Sequence, residues 1–249
     1  MRVRKNILVL DTETVGDFST PLIHDFAYCI LDENFNIVKT YNALVNEIKN
    51  CKYLMRSDFY NTKKSLYDFM ILQKKVELKN WLNILKDFKN DLKDYNIKTI
   101  CAYNVAFDKR AIEKTCELLH GKTPKLNYLC IWNLATDTIM NNKEYKKWCI
   151  DNNYISDKGN FITNAECCYQ YITNNIEFVE EHTALQDSII ESEILKYIME
   201  NYKGCSDYGA KYNCWQKVQN WTFLFYAAKS CPRSRVLWTR LSTRLILLA

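Results

Sequence analysis

Three short runs in this 249-residue chain place carboxylates where they could act together. The first is Asp11-Thr-Glu13, directly after the apolar run Ile7-Leu-Val-Leu10. A short continuous apolar run is what a buried central strand requires. Residues i and i+2 of a strand point to the same face. Two carboxylates projecting together beside a core repel each other and are costly unless a cation holds them. Hard oxygen ligands at this spacing suit Mg²⁺ or Mn²⁺; the plainer alternative is a polar strand end in solvent. The second run is Asn104-Val-Ala-Phe-Asp108, again just after a strand-like segment. Asn104 can cap a following helix. Asp108 then falls in the first turn, where the helix dipole alone would also account for a carboxylate. The third run is His182-Thr-Ala-Leu-Gln-Asp187. Thr183 and Gln186 have the spacing of a capping box, which starts a helix at Thr183. That leaves His182 on the preceding loop and Asp187 in the first turn. A loop histidine can swing over a site floored by a helix-borne carboxylate; a surface histidine is the alternative.

The surrounding pattern supplies elements able to carry these runs. Ile7 to Leu10 reads as a strand, His24 to Leu31 as a second and Phe35 to Val45 as a third, with Asp32-Glu-Asn34 as a turn. A mainly polar connection follows to about Lys75. Leu78, Trp81, Leu82, Leu85, Phe88, Leu92 and Tyr95 recur at three- and four-residue steps, the spacing of an amphipathic helix. Thr99 to Tyr103 reads as a strand with a helix over 105–119 behind it. Leu126 to Ile131 reads as a short strand, with helical pieces near 132–151 and 164–173 and a last helix from Ala184 to Asn201. Strands first, then helices alternating with strands, describe an α/β fold with a mixed sheet flanked by helices.

Composition narrows the classes. The chain is 48% hydrophobic and 25% charged, which is ordinary for a globular protein. The length suits one domain with a sizeable core, or one domain plus an extension. No window of about 18 uncharged apolar residues appears, so no membrane span is expected, and Ile7 to Leu10 is too short for a signal peptide. The 11 cysteines include no C-x-x-C pair, and Cys167 and Cys168 are adjacent, which suits neither a zinc knuckle nor a disulfide ladder. Free, mostly buried thiols in a reducing cytoplasm are the expectation. Cys116 and His120 are four apart and could share a metal, but no second pair accompanies them. The net charge of +5 misleads. From Tyr208 onward there is no Asp or Glu, but there are Lys211, Lys217, Lys229, Arg233, Arg235, Arg240 and Arg244; without these the basic residues no longer outnumber the acidic ones. A composition break near Gly204 therefore divides residues 1–203 from a basic extension over 204–249. The extension has the character of an appended or foreign tail, with a nucleic-acid-binding tail as the functional alternative. A general basic patch for nucleic acid is not what composition shows, so any such case must come from the site.

Taken together and in order, the three runs resemble the motifs of the DEDDh exonucleases, the group containing the proofreading subunit of bacterial replicative polymerases, ribonuclease T and oligoribonuclease. LDTETVG matches D-x-E-x-x-G at Asp11, Glu13 and Gly16. AYNVAFD matches N-x-x-F-D at Asn104, Phe107 and Asp108, and HTALQD matches H-x-A-x-x-D at His182, Ala184 and Asp187. The resemblance spans roughly residues 5–201. One departure is Tyr103, where relatives often carry His. The Lys-rich composition looks similar to bacteriophage-encoded members.

The resemblance implies a ribonuclease-H-like fold with a mixed five-stranded sheet flanked by helices. It also implies a 3′–5′ exonuclease that hydrolyses single-stranded DNA or RNA ends to nucleoside monophosphates with two Mg²⁺ or Mn²⁺ ions. In such a mechanism the ions clamp the attacking and leaving oxygens of an in-line displacement. By motif match, Asp11 bridges both ions, Glu13 and Asp187 complete the tighter site, and Asp108 supports the second ion. His182 is implied as the general base on the attacking water. Thr14, Val15 and Gly16 would line the pocket for the terminal nucleotide, with Asn104 beside it. Phe107 would stack on a base, or else serve as a core aromatic. The partner is a nucleic-acid 3′ end, without a membrane, in the cytoplasm (of the host, for a viral protein). Proofreading would need a separate polymerase partner, since the chain has no polymerase domain. The alternatives are a non-catalytic nucleic-acid-binding relative of the same fold, an endonuclease of the wider ribonuclease-H-like group, and a structural phage or host protein with accidental motifs.

Overall fold

A computed structural model describes residues 6–56 and 58–202. The chain opens with three antiparallel strands: β1 (Ile7–Val15), β2 (Leu22–Leu31) and β3 (Ile37–Val45). A one-turn helix α1 (Asn46–Lys49) leads through a tight 3₁₀ turn to α2 (Asp58–Leu72). Then come β4 (Glu77–Lys79), α3 (Trp81–Asp94), β5 (Thr99–Ala102), α4 (Val105–Leu118) and β6 (Asn127–Cys130). The helix α5 (Ile131–Ala135) runs into a π turn over Thr136–Met140. It is followed by α6 (Lys143–Asp151), α7 (Ala165–Thr173) and α8 (Ala184–Asn201).

The sheet order is β4-β3-β2-β1-β5-β6, with β4, β5 and β6 parallel to the strands they join. It has six strands rather than five. The additional one is the three-residue edge strand β4, too short to show a period. It contains Leu78, which the apolar spacing assigns to the helix; α3 instead starts at Trp81. The polar connection expected before Lys75 holds the 15-residue helix α2. Its apolar side chains form no continuous stripe: Tyr60 and Tyr67 are buried, whereas Phe69 and Leu72 are exposed. Residues 204–249, the expected basic extension, lie outside the described residues.

The sheet core follows from the alternation of β2. Phe26 and Tyr28 point to one face, where Phe26 meets Trp81 and Phe88 of α3 edge-on at 5.6 and 5.3 Å. Asp25 and Cys29 point to the other face and reach α8. Leu8, Val9 and Leu10 of β1 are fully buried between these layers, as their continuous apolar run requires. Among the described residues every cysteine is free, six of the eight being buried. No helix there is long and apolar enough to cross a membrane.

Candidate active site

The site begins with the unequal lengths of neighbouring strands. β1 pairs with β5 only at Leu8 and Val9, then continues to Val15 beside β2 alone. β5 stops at Ala102, so beyond its carboxyl end β1 has no partner on that side, the region where sites usually form in such sheets. Asp11 and Glu13 lie in this overhang, inside the strand rather than after it. Their cross-strand partners are Ala27 and Asp25, so both carboxylates share the face that α8 covers. Thr12 points the other way, and its hydroxyl donates to Asp108 Oδ1 at 2.9 Å. One strand thus presents two carboxylates on one face and holds a third from the other. Just past Glu13 the pairing skips His24, because Thr14 pairs with Ile23. Such bulges re-aim side chains beside sites.

Asp108 lies in the first turn of α4, as the spacing predicts, and is buried. Asn104 stands at the N-cap position, but its side chain makes no cap hydrogen bond and is exposed. Thr183 likewise precedes α8 without capping it, so the expected capping box does not form. Gln186 Oε1 accepts from Glu181 N at 3.2 Å instead. The cap comes from the sheet: Asp25 Oδ2 accepts from Ala184 N at 3.1 Å. The same carboxylate accepts from Tyr67 Oη at 2.9 Å and from Asn42 Nδ2 at 2.6 Å. Three convergent donors explain how a fully buried Asp25 is tolerated.

With α8 seated this way, the ligand atoms of Glu13, His182 and Asp187 lie within 4.8 Å of one another. Asp11 and Asp108 are not part of that trio, but their charges couple to it. Burial first, then Glu191, Asp108, Asp187 and Glu13, push Asp11 well above the usual carboxylate range. Burial and Asp25 raise Glu13 to about 8, against the pull of Lys63. Burial, Glu180 and Glu13 raise Asp187 to about 9. Burial raises Asp108 to about 7, opposed by the Thr12 hydrogen bond. Asp187 Oδ1 is buried without a hydrogen-bond partner. Crowded carboxylates with an orphaned oxygen are the donor set that a hard divalent cation fits. His182 is partly exposed, and burial and Lys63 lower its pKa, which favours the neutral, proton-accepting imidazole.

Four further residues belong to this neighbourhood and escaped the motif reading. Glu191 is buried and accepts from Tyr103 N at 3.1 Å. It stands one helical turn after Asp187, so i,i+4 spacing could have found it. Glu180 Oε2 lies 3.5 Å from His182 Nδ1. Asp25 and Lys63 reach the site only through the tertiary fold, and nothing local to them points there.

Of the expected pocket residues, Val15 is buried, which leaves its backbone as the part that could meet a ligand. Gly16 is exposed with φ +92°, and a Cβ there would stand 2.9 Å from Thr20 O, so this turn requires glycine. Asp17 organises the turn, accepting from both the backbone N–H and the hydroxyl of Ser19 and of Thr20. The turn carries Phe18, which is 71% exposed. The Phe18 ring meets Phe107 at 5.8 Å, and the Arg110 guanidinium lies 4.4 Å over it. Phe107 therefore joins the loop after β1 to the first turn of α4.

No family model matches the chain, and no curated protein matches it either. Solved structures do. The nuclease domain of 3'hExo, a DEDDh family member bound to rAMP, aligns with a TM-score of 0.58 at 13% identity, covering 80% of this chain and 94% of that one. Cell-death related nuclease 4 (CRN-4) aligns at 0.53 and 14% identity, over 79% of this chain and 64% of that one. Exonuclease I from Methylocaldum szegediense aligns at 0.52 and 11% identity, over 82% of this chain and 42% of that one. The chain thus spans nearly all of the first, but less than two thirds of the other two. It has the fold of these nucleases, and the first is a member of the family that the three motifs resemble.

Proposed function

We propose that this chain is a metal-dependent exonuclease that removes nucleoside monophosphates from the 3′ ends of single-stranded DNA or RNA. The observation that carries this reading is the cluster of Glu13, His182 and Asp187 ligand atoms beside the overhang of β1, with Asp11 coupled to it and to Asp108 by charge. Two divalent ions of the Mg²⁺ or Mn²⁺ type, held by the four carboxylates, would supply Lewis-acid stabilisation of charge on the phosphate oxygens. The chain's residues do the rest. Asp11 and Glu13 are fixed by strand geometry and Asp187 by the seated start of α8. Asp108 is oriented by Thr12. With Nδ1 turned toward Glu180, His182 would take a proton from the attacking water through Nε2. The turn at Gly16 and the Phe18–Phe107 pair supply a surface against which a terminal base can stack regardless of its identity.

The test uses a 5′-labelled single strand with Mg²⁺ or Mn²⁺ and resolves product lengths. Stepwise shortening with release of monophosphates is expected. Asp11→Ala should abolish it, and His182→Ala should slow it by roughly 100-fold or more while leaving metal binding largely intact. Internal cuts, or activity that survives Asp11→Ala, would refute the assignment. Running matched DNA and RNA strands side by side identifies the preferred substrate.

A further inference from the structure

His182 adopts a left-handed backbone conformation, φ +53°. The conformation is uncommon for a residue with a Cβ, though histidine adopts it more readily than most and His120 shares it here. The backbone around His182 is held from α2. Lys63 Nζ donates to the backbone carbonyls of both Glu181 and His182, the latter at 3.1 Å. Four residues on, and so on the same helical face, Tyr67 Oη donates to Asp25 Oδ2, the oxygen that also caps Ala184 N. One face of α2 therefore holds the chain on both sides of Thr183: directly before it through Lys63, and after it through Tyr67 and Asp25. On the ring side, Glu180 Oε2 faces His182 Nδ1.

Resting on the exonuclease reading of the site, we propose that Lys63 is a positioning residue that clamps the Glu181–His182 backbone and so aims the His182 imidazole at the reaction centre. Lys63 acts through the loop rather than on the substrate. Its ammonium donates to two carbonyls of the segment that carries the base, beside its charge coupling to Glu13, Asp187 and Glu180, and those two bonds tether the backbone from which the imidazole departs. A neutral side chain of similar length keeps the packing of the stem and loses the clamp. Arginine retains donors of longer reach and restores it in part.

The experiment uses the full chain and the variants Lys63→Met, Lys63→Arg, His182→Ala and Lys63→Met combined with His182→Ala. Turnover and KM are measured on a 3′-ended single strand, and amide exchange is followed at Glu181, whose N–H is hydrogen-bonded to Gln186. Lys63→Met should lower kcat by about 10- to 100-fold with KM unchanged, and Lys63→Arg should recover part of the loss. The same change should have no further effect once His182 is alanine, and Glu181 should exchange faster. A rise in KM that persists in the His182→Ala background would mean that Lys63 touches substrate, which overturns the proposal. Tighter Mn²⁺ binding with unchanged turnover would make Lys63 a counter-charge of the carboxylates and overturn it too. If the wild-type chain releases no nucleotide, the exonuclease reading fails, and Glu181 exchange alone decides the clamp: faster exchange in Lys63→Met upholds it, unchanged exchange refutes it.

Discussion

Replacing Asp25 tests whether the sheet holds the third motif in place. The Asp25 carboxylate is fully buried and accepts from Ala184 N, Tyr67 Oη and Asn42 Nδ2. In Asp25→Ala the first two donors lose their acceptor inside the protein, whereas Asn42 keeps a long contact to Phe26 O at 3.5 Å. A buried unsatisfied group costs about 1–3 kcal/mol, more when the lost partner was charged, so the change should cost roughly 3–5 kcal/mol. That is a large share of the 5–15 kcal/mol of a typical domain. Asp25→Asn is different. Its amide oxygen can still accept from Ala184 and Tyr67. Its NH₂ can donate to Asn42 Oδ1, which is buried without a partner, once the Asn42 amide flips. The expected cost is about 1 kcal/mol. Urea unfolding followed by tryptophan fluorescence measures both. Equal losses for the two variants, or a loss below about 1 kcal/mol for Asp25→Ala, would refute the account of how α8 is seated. The active-site consequence is separable: Asp25→Asn should leave α8 docked while removing the charge that, after burial, does most to raise Glu13.

Two further outcomes follow from the electrostatics and from the pocket. Glu13, Asp108 and Asp187 have folded-state pKa values of about 8, 7 and 9, well above the unfolded value of about 4. The folded state then binds more protons than the unfolded chain, so their contribution to stability is full below about pH 4 and is lost as pH rises through 7 to 9. In chelator, Tm should fall between about pH 5 and about pH 9, and added Mg²⁺ or Mn²⁺ should restore it most at the alkaline end; a chelated Tm that climbs across this window contradicts the crowding argument. Phe18→Ala should raise KM by roughly 5- to 100-fold with little change in kcat, from the 1–3 kcal/mol of a lost base stack. An unchanged KM on single strands would remove Phe18 from the pocket.

The motifs were legible because each rests on a local rule. Asp11 and Glu13 share a face by strand alternation, and Asp108 and Asp187 fall in the first turns of α4 and α8. What local rules could not show is what holds these residues. Asn104 and Thr183 have the right types for caps and occupy the right positions, yet neither caps; at α8 the cap comes instead from Asp25, which reaches Ala184 from across the fold. Lys63 and Glu191 act on partners 119 and 88 residues away. α2 was hidden because its buried side chains are tyrosines with polar partners, Tyr60 with Lys49 and Tyr67 with Asp25, rather than an apolar stripe. β4 has three residues and no period to read.

The long-range seat of α8 also bears on when this chain acquires its chemistry. Asp25 and Ala184, 159 residues apart, must meet before Asp187 can join the carboxylates of β1 and α4. During synthesis Asp11, Glu13 and Asp108 leave the ribosome with most of the sheet, while the histidine and the fourth carboxylate come later. A nascent chain that ends just before Ala184 has every strand of the sheet but an incomplete site. Contacts of such long span are slow to form, because the loop-closure entropy must be met first. On the proposed exonuclease reading, chemical competence is thereby tied to a slow step of folding, and a chain stalled before His182 lacks the histidine and the fourth carboxylate of the site.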